Sequence, residues 1–150
     1  MKVYFLSVVF SIFCCFSCQR SIESRTSLEQ SVIGFGESFY NLNYVEAQEW
    51  ATKDDLPYLQ FMASNIHEEH LAKLDSVGPS AITILSSQVH NSGTEAKVFC
   101  RINHVLKIDY ISGKSILLEQ IEDTLHLIKD GAKWFVRMDN PLQSEMRNHD

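Results

Sequence analysis

The chain has 150 residues, a length typical of a single domain that buries roughly two thirds of its unfolded surface. Its formal net charge of −6 at pH 7 argues against nucleic acid as a partner, because phosphate binding requires a basic face. Cys100 is the one cysteine outside the N-terminal segment that we predict to be cleaved and lipidated. An intramolecular disulfide or a four-cysteine zinc site is therefore excluded in the mature chain.

The N-terminus has the pattern of a secretory signal peptide. Lys2 supplies a basic start, and the apolar run from Val3 to Phe16 is too short to span a bilayer comfortably. We therefore predict that residues 1–17 are a signal peptide and that the protein is exported.

Ser17 and Cys18 end this run and resemble the lipobox of bacterial lipoproteins, in which the cysteine becomes the lipidated first residue. Cys15 and Phe16 depart from the usual pattern, which has Leu and a small residue at these positions. The resemblance implies lipidation of Cys18 and a membrane-anchored, periplasm-facing location in the cell envelope. Simple secretion and a retained anchor are the alternatives. Residues 18–26 then form the lipidated cysteine and a polar tether.

Helical periodicity begins directly after the tether. Thr26 and Ser27 both open capping-box patterns, and large apolar residues then recur at spacings of four and three. These apolar residues are Leu28, Val32, Phe35, Phe39 and Leu42. Gly34 and Gly36 weaken the helix, so we expect either compensating tertiary packing or the close approach of a neighbouring element.

Two further helices are predicted before the chain changes its period. Residues 44–51 form a short helix whose inward side consists of Val45, Ala47 and Trp50 or Ala51. A third helix begins near Thr52, tolerates Pro57 in its first turn and extends to about Asp75. The Gly-Pro pair at residues 78–79 ends the helical half.

The second half of the chain alternates with a period of two, which predicts an antiparallel meander of four strands. The predicted strands are residues 81–90, 94–111, 114–129 and 132–138. In the second strand, His104 is expected to share one face with Cys100 and Leu106. The Asp-Gly pair at residues 130–131 predicts a type I′ turn with positive φ at both positions. A bulge within residues 119–123 would swap the alternation and curve the sheet.

Helices followed by a four-stranded meander resemble the cystatin-like α+β fold of the nuclear transport factor two superfamily. More narrowly, the chain resembles small bacterial lipoproteins that carry such a domain without an assigned function. The matching residues are Phe35 and Phe39, residues 46–52 where the second helix runs into the next corner, residues 96–98 at the start of a strand, and the closing hairpin at 127–136.

The resemblance covers about residues 27–139 and leaves 140–150 as a polar tail. It implies N-terminal helices packed on a curved four-stranded antiparallel sheet, forming a cone whose open end can hold an apolar pocket. Such domains often pair through the open sheet face, so a homodimer is one expected assembly. The superfamily contains isomerases, cyclases, dehydratases and many non-catalytic domains, and the fold therefore does not decide the function.

The catalytic relatives imply a general base inside the cone that removes a proton from a carbon next to a carbonyl. The polar strand residues that could point inward are His104, Tyr110, Glu119, Asp123 and His126. Of these, we take His104, Tyr110 and Asp123 as the catalytic candidates of an enzyme, since burial raises a carboxylate's pKa and makes it a usable base. The competing explanation places them on the outer face of the sheet.

Three other features suggest chemistry but have simpler explanations. His67 and His70, three apart on a helix, could share a metal ion, although a solvated helix face also explains them. Cys100 lies roughly 13 Å from His104 at about 3.3 Å per residue, which is too far for a nucleophile and its base. A buried small hydrophobe explains Cys100, and core packing explains Trp134 better than a ligand platform.

The sequence thus predicts an exported, lipid-anchored envelope protein with a non-catalytic domain that binds a small apolar ligand or an envelope protein. Its expected partners are the membrane, through the lipid on Cys18, and that ligand or protein. No cofactor is expected. The alternative is a small-molecule isomerase-like or cyclase-like enzyme with an interior Asp, Glu or His as general base.

Overall fold

The computed structural model describes residues 27–138, which form α-helices followed by an antiparallel sheet. The helices are α1 (27–40), α2 (Tyr44–Ala47), α3 (Leu56–Ser64) and α4 (Glu68–Asp75). The strands are β1 (Ala81–His90), β2 (Glu95–Ile108), β3 (Ser115–Asp130) and β4 (Lys133–Arg137), in that spatial order. Short 3-10 turns lie at Gln48–Trp50, Lys53–Asp55 and Asn91–Gly93. The predicted α+β class and four-stranded antiparallel meander are confirmed.

The signal peptide, Cys18, the tether and the polar tail of the sequence prediction lie outside the described residues. Within residues 27–138, no helix has the length and apolar character needed to cross a membrane.

Helix α1 lies across the inner face of the sheet and contacts both of its ends. Near its start, Ser27 Oγ donates to Ala132 O in the last hairpin at 3.2 Å. Farther along, a Cβ placed on Gly36 would overlap Ile82 of β1, and a Cβ on Gly34 would overlap the Trp50 indole. Close approach, one of the two roles expected for these glycines, is confirmed. The sheet curves around α1, and their shared core holds Leu28, Val32, Phe35, Ala96, Val98, Cys100, Ile102, Leu127 and Trp134.

The second predicted helix begins at Tyr44 as expected but is shorter than predicted. Ala47 and Ala51 are buried as predicted, whereas Val45 is 69% exposed, so the inward position predicted for Val45 is wrong. Tyr44 is buried in its place. Asn43 caps the helix, because its side chain accepts from the Glu46 amide.

The third predicted helix is broken into α3 and α4. Asn65 ends α3, because its Nδ2 donates to Phe61 O at 2.7 Å and replaces the backbone bond that a continuing helix would make. The chain then restarts as α4 after His67. Pro57 lies in the first turn of α3, as predicted, where its missing amide hydrogen costs little.

The irregularities of the sheet lie at other positions than the sequence predicts. The register of β2 against β3 has no shift, so the bulge expected within residues 119–123 is wrong, although the pairing is interrupted between His104 and Glu119. A bulge instead lies at Leu85 in β1. His104 has φ of +55°, and Val105 and Leu106 are both buried beyond it, so the strict alternation predicted for β2 fails there. Ser80 Oγ, which lies 2.7 Å from His104 O, holds this irregular backbone.

The turn between β3 and β4 consists of Gly131 and Ala132, enclosed by the pair Asp130 and Lys133. Gly131 has φ of +60°, whereas Asp130 does not have a positive φ. The predicted type I′ turn is therefore wrong, and glycine at the first central position fits a type II′ turn. Both turns match the right-handed twist of the strands, so the hairpin forms in either case.

Candidate functional site

A cavity of about 490 Å³ opens at the end of the sheet opposite the last hairpin. The corner between α1 and α2, the inner side of α3 and the adjoining ends of β2 and β3 form its walls. Its lining is mainly aromatic and aliphatic, with Phe39, Met62 and Leu118 among the apolar side chains. Pockets of this size and character are typical of small-molecule sites.

Two hydrogen-bonded pairs provide polar groups in this wall. The Tyr40 hydroxyl donates to Asp123 Oδ2 at 2.7 Å, and the hydroxyls of Tyr44 and Tyr110 lie 2.6 Å apart. Tyr40 ends α1 and Tyr44 begins α2, and the turn between them has φ of +64° at Leu42. This sharp turn places both tyrosines on the same side of the corner, facing the sheet.

Burial keeps these hydroxyls protonated. Desolvation raises the pKa of Tyr40 and Tyr44 well above 10.0, and the neighbouring Asp123 raises the pKa of Tyr40 further. Desolvation also raises the pKa of Tyr110. A pair of phenol groups has two hydrogens and uses one between them, so the Tyr44 and Tyr110 pair retains one donor for a ligand.

A second groove of about 230 Å³ continues from the first. Phe39, Tyr58 and Asp123 line both spaces, and His126 and Arg137 lie at the far side of the groove. Asp123 therefore stands at the junction of the two spaces, with an exposed side chain.

The structure brings together two of the three catalytic candidates. Tyr110 and Asp123 both line the pocket. His104 does not, and its Nδ1 lies 3.4 Å from Pro79 O, outside the pocket wall. Of the other polar strand residues, Glu119 is exposed and does not line the pocket, and His126 lines the adjacent groove.

His67 and His70 have a structural role at the start of α4. The His67 amide donates to Nδ1 of His70 at 3.2 Å, and His70 is 1% exposed. This hydrogen bond occupies Nδ1 of His70 and holds the ring against the first turn of α4. Within residues 27–138, no group of three or more His, Cys, Asp or Glu side chains is arranged to hold a metal ion.

Cys100 and Trp134 are both fully buried in the core. Burial raises the pKa of the Cys100 thiol to about 11, so the thiol is protonated at neutral pH and is a poor nucleophile. Trp134 offers no accessible face to a ligand, and core packing accounts for it.

The free energy of unfolding is expected to fall as the pH rises from 9 to 11. The Cys100 pKa is 9.0 when unperturbed and about 11 in the folded protein, and the pKa of Tyr40 and Tyr44 is likewise raised from 10.0. These groups stay protonated in the folded protein while they ionise in the unfolded chain. Their contribution to the free energy of unfolding is therefore fully present below pH 9 and is lost as the pH rises above it. Cys100 accounts for about 2 kcal/mol of this loss.

Urea denaturation across this pH range measures the effect. A Cys100→Ala chain serves as the control, because it should show a shallower decline even if its stability at neutral pH differs. A free energy of unfolding that stays constant up to pH 11 would contradict the assignment of these groups as buried and protonated.

Sequence reasoning did not identify Tyr40, Tyr44 and Tyr58 as site residues. Tyr40 and Tyr44 flank the break at residues 41–43, and a hydroxyl-bearing aromatic on each side of a helical corner is the signal that could have indicated them. Tyr58 carried no comparable signal, because it is one of two aromatics within the apolar pattern of α3.

Comparison with known proteins finds a similarity in structure and none in sequence families. No family model matches the sequence, and no curated protein matches it. The chain is similar to the crystal structure of a candidate NTF2-like transpeptidase from Campylobacter jejuni, where NTF2 denotes nuclear transport factor two. The two share 13% sequence identity and a TM-score of 0.48, over 74% of this chain and 97% of that chain. A likeness at this level identifies no function.

Proposed function

We propose that the domain binds a small, largely apolar molecule with one hydrogen-bonding group, and that it does so without catalysis. The observation that carries this proposal is the 490 Å³ pocket with paired hydroxyls in an apolar wall. Phe39, Met62 and Leu118 offer contacts to an apolar body. The Tyr44 and Tyr110 pair offers a donor to a carbonyl or hydroxyl oxygen of the ligand.

The position of Asp123 supports binding over catalysis. A carboxylate that works as a general base near neutrality is usually enclosed in an apolar site, whereas the Asp123 side chain is exposed. Its Oδ2 already accepts from Tyr40 and its Oδ1 accepts from the Thr124 amide. We further propose that the domain belongs to the nuclear transport factor two superfamily, which the order of its elements supports.

Filling the pocket should abolish the binding of a neutral apolar dye. N-phenyl-1-naphthylamine fluoresces when it leaves water, and the wild-type chain should enhance its emission. Leu118→Trp places an indole in the pocket wall and should weaken dye binding by about tenfold or more, because the lost volume excludes the ligand.

Ile116→Trp is the matched control. Ile116 lies on the same strand, is 63% exposed and does not line the pocket, so this variant should bind the dye as the wild type does. Equal weakening by both substitutions would place the dye elsewhere and contradict the proposal.

An isomerase-like or cyclase-like enzyme is the second candidate function. One observation favours it, which is the hydrogen-bonded pair of Asp123 and Tyr40 at the pocket wall. Hydrogen–deuterium exchange at the carbon next to the carbonyl of simple cyclic ketones can be followed by NMR. If the domain only binds ligands, the wild-type chain and the Asp123→Asn variant should give the same exchange rate. Faster exchange with the wild type would favour the enzyme.

We also propose that the protein is exported and anchored to the cell envelope through lipid on Cys18, on the basis of residues 1–18. Radiolabelled fatty acid should enter the wild-type chain in bacterial cells and should be absent from Cys18→Ala. The Cys15→Ala variant is the matched control and should keep the label. Incorporation into Cys18→Ala would show that the lipid is attached at another residue.

A further inference from the structure

The outer edge of β3 is open along most of its length. β3 pairs with β2 from Ser115 to Ile128, but its pairing with β4 begins only at His126, because β4 ends at Arg137. Within residues 27–138, no strand pairs with the outer side of residues 115–125. This stretch is called the open edge below.

Alternate backbone groups of the open edge face away from β2. The Lys129 amide donates to Thr94 O on the β2 side at 2.8 Å, so amides at odd positions of β3 point towards β2. This parity holds from Lys129 to Gln120 and changes beyond the irregular backbone at His104, since the Asp109 amide donates to Lys114 O at 2.8 Å. The amides of Gln120 and Glu122 consequently point outward. The next outward amide, Thr124, donates to the adjacent Asp123 Oδ1.

The open edge also lacks several of the features that usually protect such edges, although Lys73 of α4 donates to Ser115 O at its start. Edge strands commonly carry Lys, Pro or a bulge that prevents pairing with another chain. The sequence of residues 115–125 contains no Lys, Arg or Pro, and the register shows no bulge. By contrast, β1 is interrupted by the bulge at Leu85, and β4 is covered by a bridge between Ala51 and Val136.

The charge of the open edge indicates the chemistry of its partner. It carries Glu119, Glu122 and Asp123, all exposed. Arg101 on β2 forms an ion pair with Glu122 at 2.9 Å, which leaves the edge with a net negative charge. A basic segment is therefore the complementary occupant.

The chain's own residues 139–150 fit this edge poorly. Continuing the register of β3 and β4 would place Pro141 opposite Glu122, where an amide hydrogen is needed and proline has none. This segment contains Asp139, Glu145 and Asp150 against one arginine, so it would also add like charge to an acidic edge. A separate basic peptide suits the edge better on both counts.

We propose that the open edge binds an extended, basic peptide segment of another protein as an additional β-strand. Backbone hydrogen bonds to Gln120 and Glu122 supply the attachment, and Lys or Arg side chains facing Glu119 supply the charge complementarity. This interaction uses the backbone of β3 and does not depend on a ligand in the pocket.

Amide hydrogen exchange on the full chain, read by NMR, tests the proposal. A short synthetic peptide of alternating lysine and valine serves as the probe. Its addition should slow exchange at Gln120 and Glu122 and should leave the inward Ile121 amide unchanged. Exchange that is already slow at the two outward amides without peptide would overturn the proposal, because the edge would then be occupied by the chain itself.

Peptide and protein variants separate strand addition from simple charge attraction. A peptide of the same sequence and charge whose backbone amides are all N-methylated should not bind, since it lacks the amide hydrogens that strand pairing requires. Glu119→Lys should weaken binding of the lysine-valine peptide about tenfold, whereas Glu37→Lys on the exposed side of α1 should not. Equal binding of both peptides, or equal effects of both variants, would overturn the proposal. Dye binding in the pocket is measured separately, so each proposal can fail alone.

Discussion

Replacing Trp134 with alanine should lower the free energy of unfolding by about 3–5 kcal/mol. Trp134 is 0% exposed and is the largest fully buried side chain among residues 27–138. It lies on β4, and its side chain belongs to the same buried core as Val136 and Leu127. Removing the indole loses its transfer from water and leaves a cavity that a curved sheet cannot close without moving α1.

Urea denaturation of matched variants isolates this effect. Phe135→Ala removes the neighbouring aromatic ring, which is only half-buried on the opposite face, and should cost less than half as much. Trp134→Phe should also cost less than Trp134→Ala, because it keeps most of the volume and removes an Nε1 hydrogen without a partner in the described structure. Similar losses for Trp134→Ala and Phe135→Ala would refute the central position of Trp134 in the core.

Replacing Asp55 with alanine should cost about 2–3 kcal/mol, although it removes a charge from an acidic protein. Asp55 is 0% exposed, and its Oδ2 accepts from the Met138 amide at 3.0 Å and from the Thr52 hydroxyl. These bonds join the corner before α3 to the end of β4. Alanine would leave both half-buried donors without this acceptor, and the end of β4 would lose its attachment.

Asp54 provides the control, because it lies in the same 3-10 turn, carries the same charge and is exposed. Asp54→Ala should change the free energy of unfolding by less than about 0.5 kcal/mol. Asp55→Asn should cost less than Asp55→Ala, since an amide oxygen in the place of Oδ2 can still accept both bonds. Thermal and urea unfolding of the three variants will show the order, and equal effects of Asp54→Ala and Asp55→Ala would contradict the argument.

The elements that sequence patterns predicted well are those whose local signals agree with their packing. Period-two alternation located all four strands to within a few residues, because the inner positions of the strands face one continuous core. Spacings of three and four located the buried side of α1 for the same reason. The sequence thus predicted the fold class from residues near in sequence.

The errors arose where a distant or competing hydrogen bond decides the backbone. Asn65 ends α3 through a bond to Phe61 O, although the apolar spacing on either side suggests one helix. His104 leaves the inner face because its backbone lies against Ser80, which comes from the loop before β1. Neither partner is visible in a local pattern, and the apolar alternation of β2 therefore misplaced His104.

The candidate site also has a part that the sequence predicted and a part that it did not. The sequence marked Tyr110 and Asp123 as polar residues on strands but could not assign their partners. Tyr44 supplies the partner of Tyr110 from 66 positions away in the sequence, and Tyr40 supplies the partner of Asp123 from 83 positions away. The pocket therefore exists only once α1 and α2 have folded over the sheet.

By itself, the sequence determined an α+β domain, its four-stranded meander and the hairpin at Gly131, because these depend on periodicity and on turn residues. The tertiary structure alone decided the tyrosine-lined pocket, the separation of His104 from Asp123, and the open edge of β3. Each of these depends on where one element ends relative to another. Such relative placement is set by packing between distant segments, which no local pattern encodes.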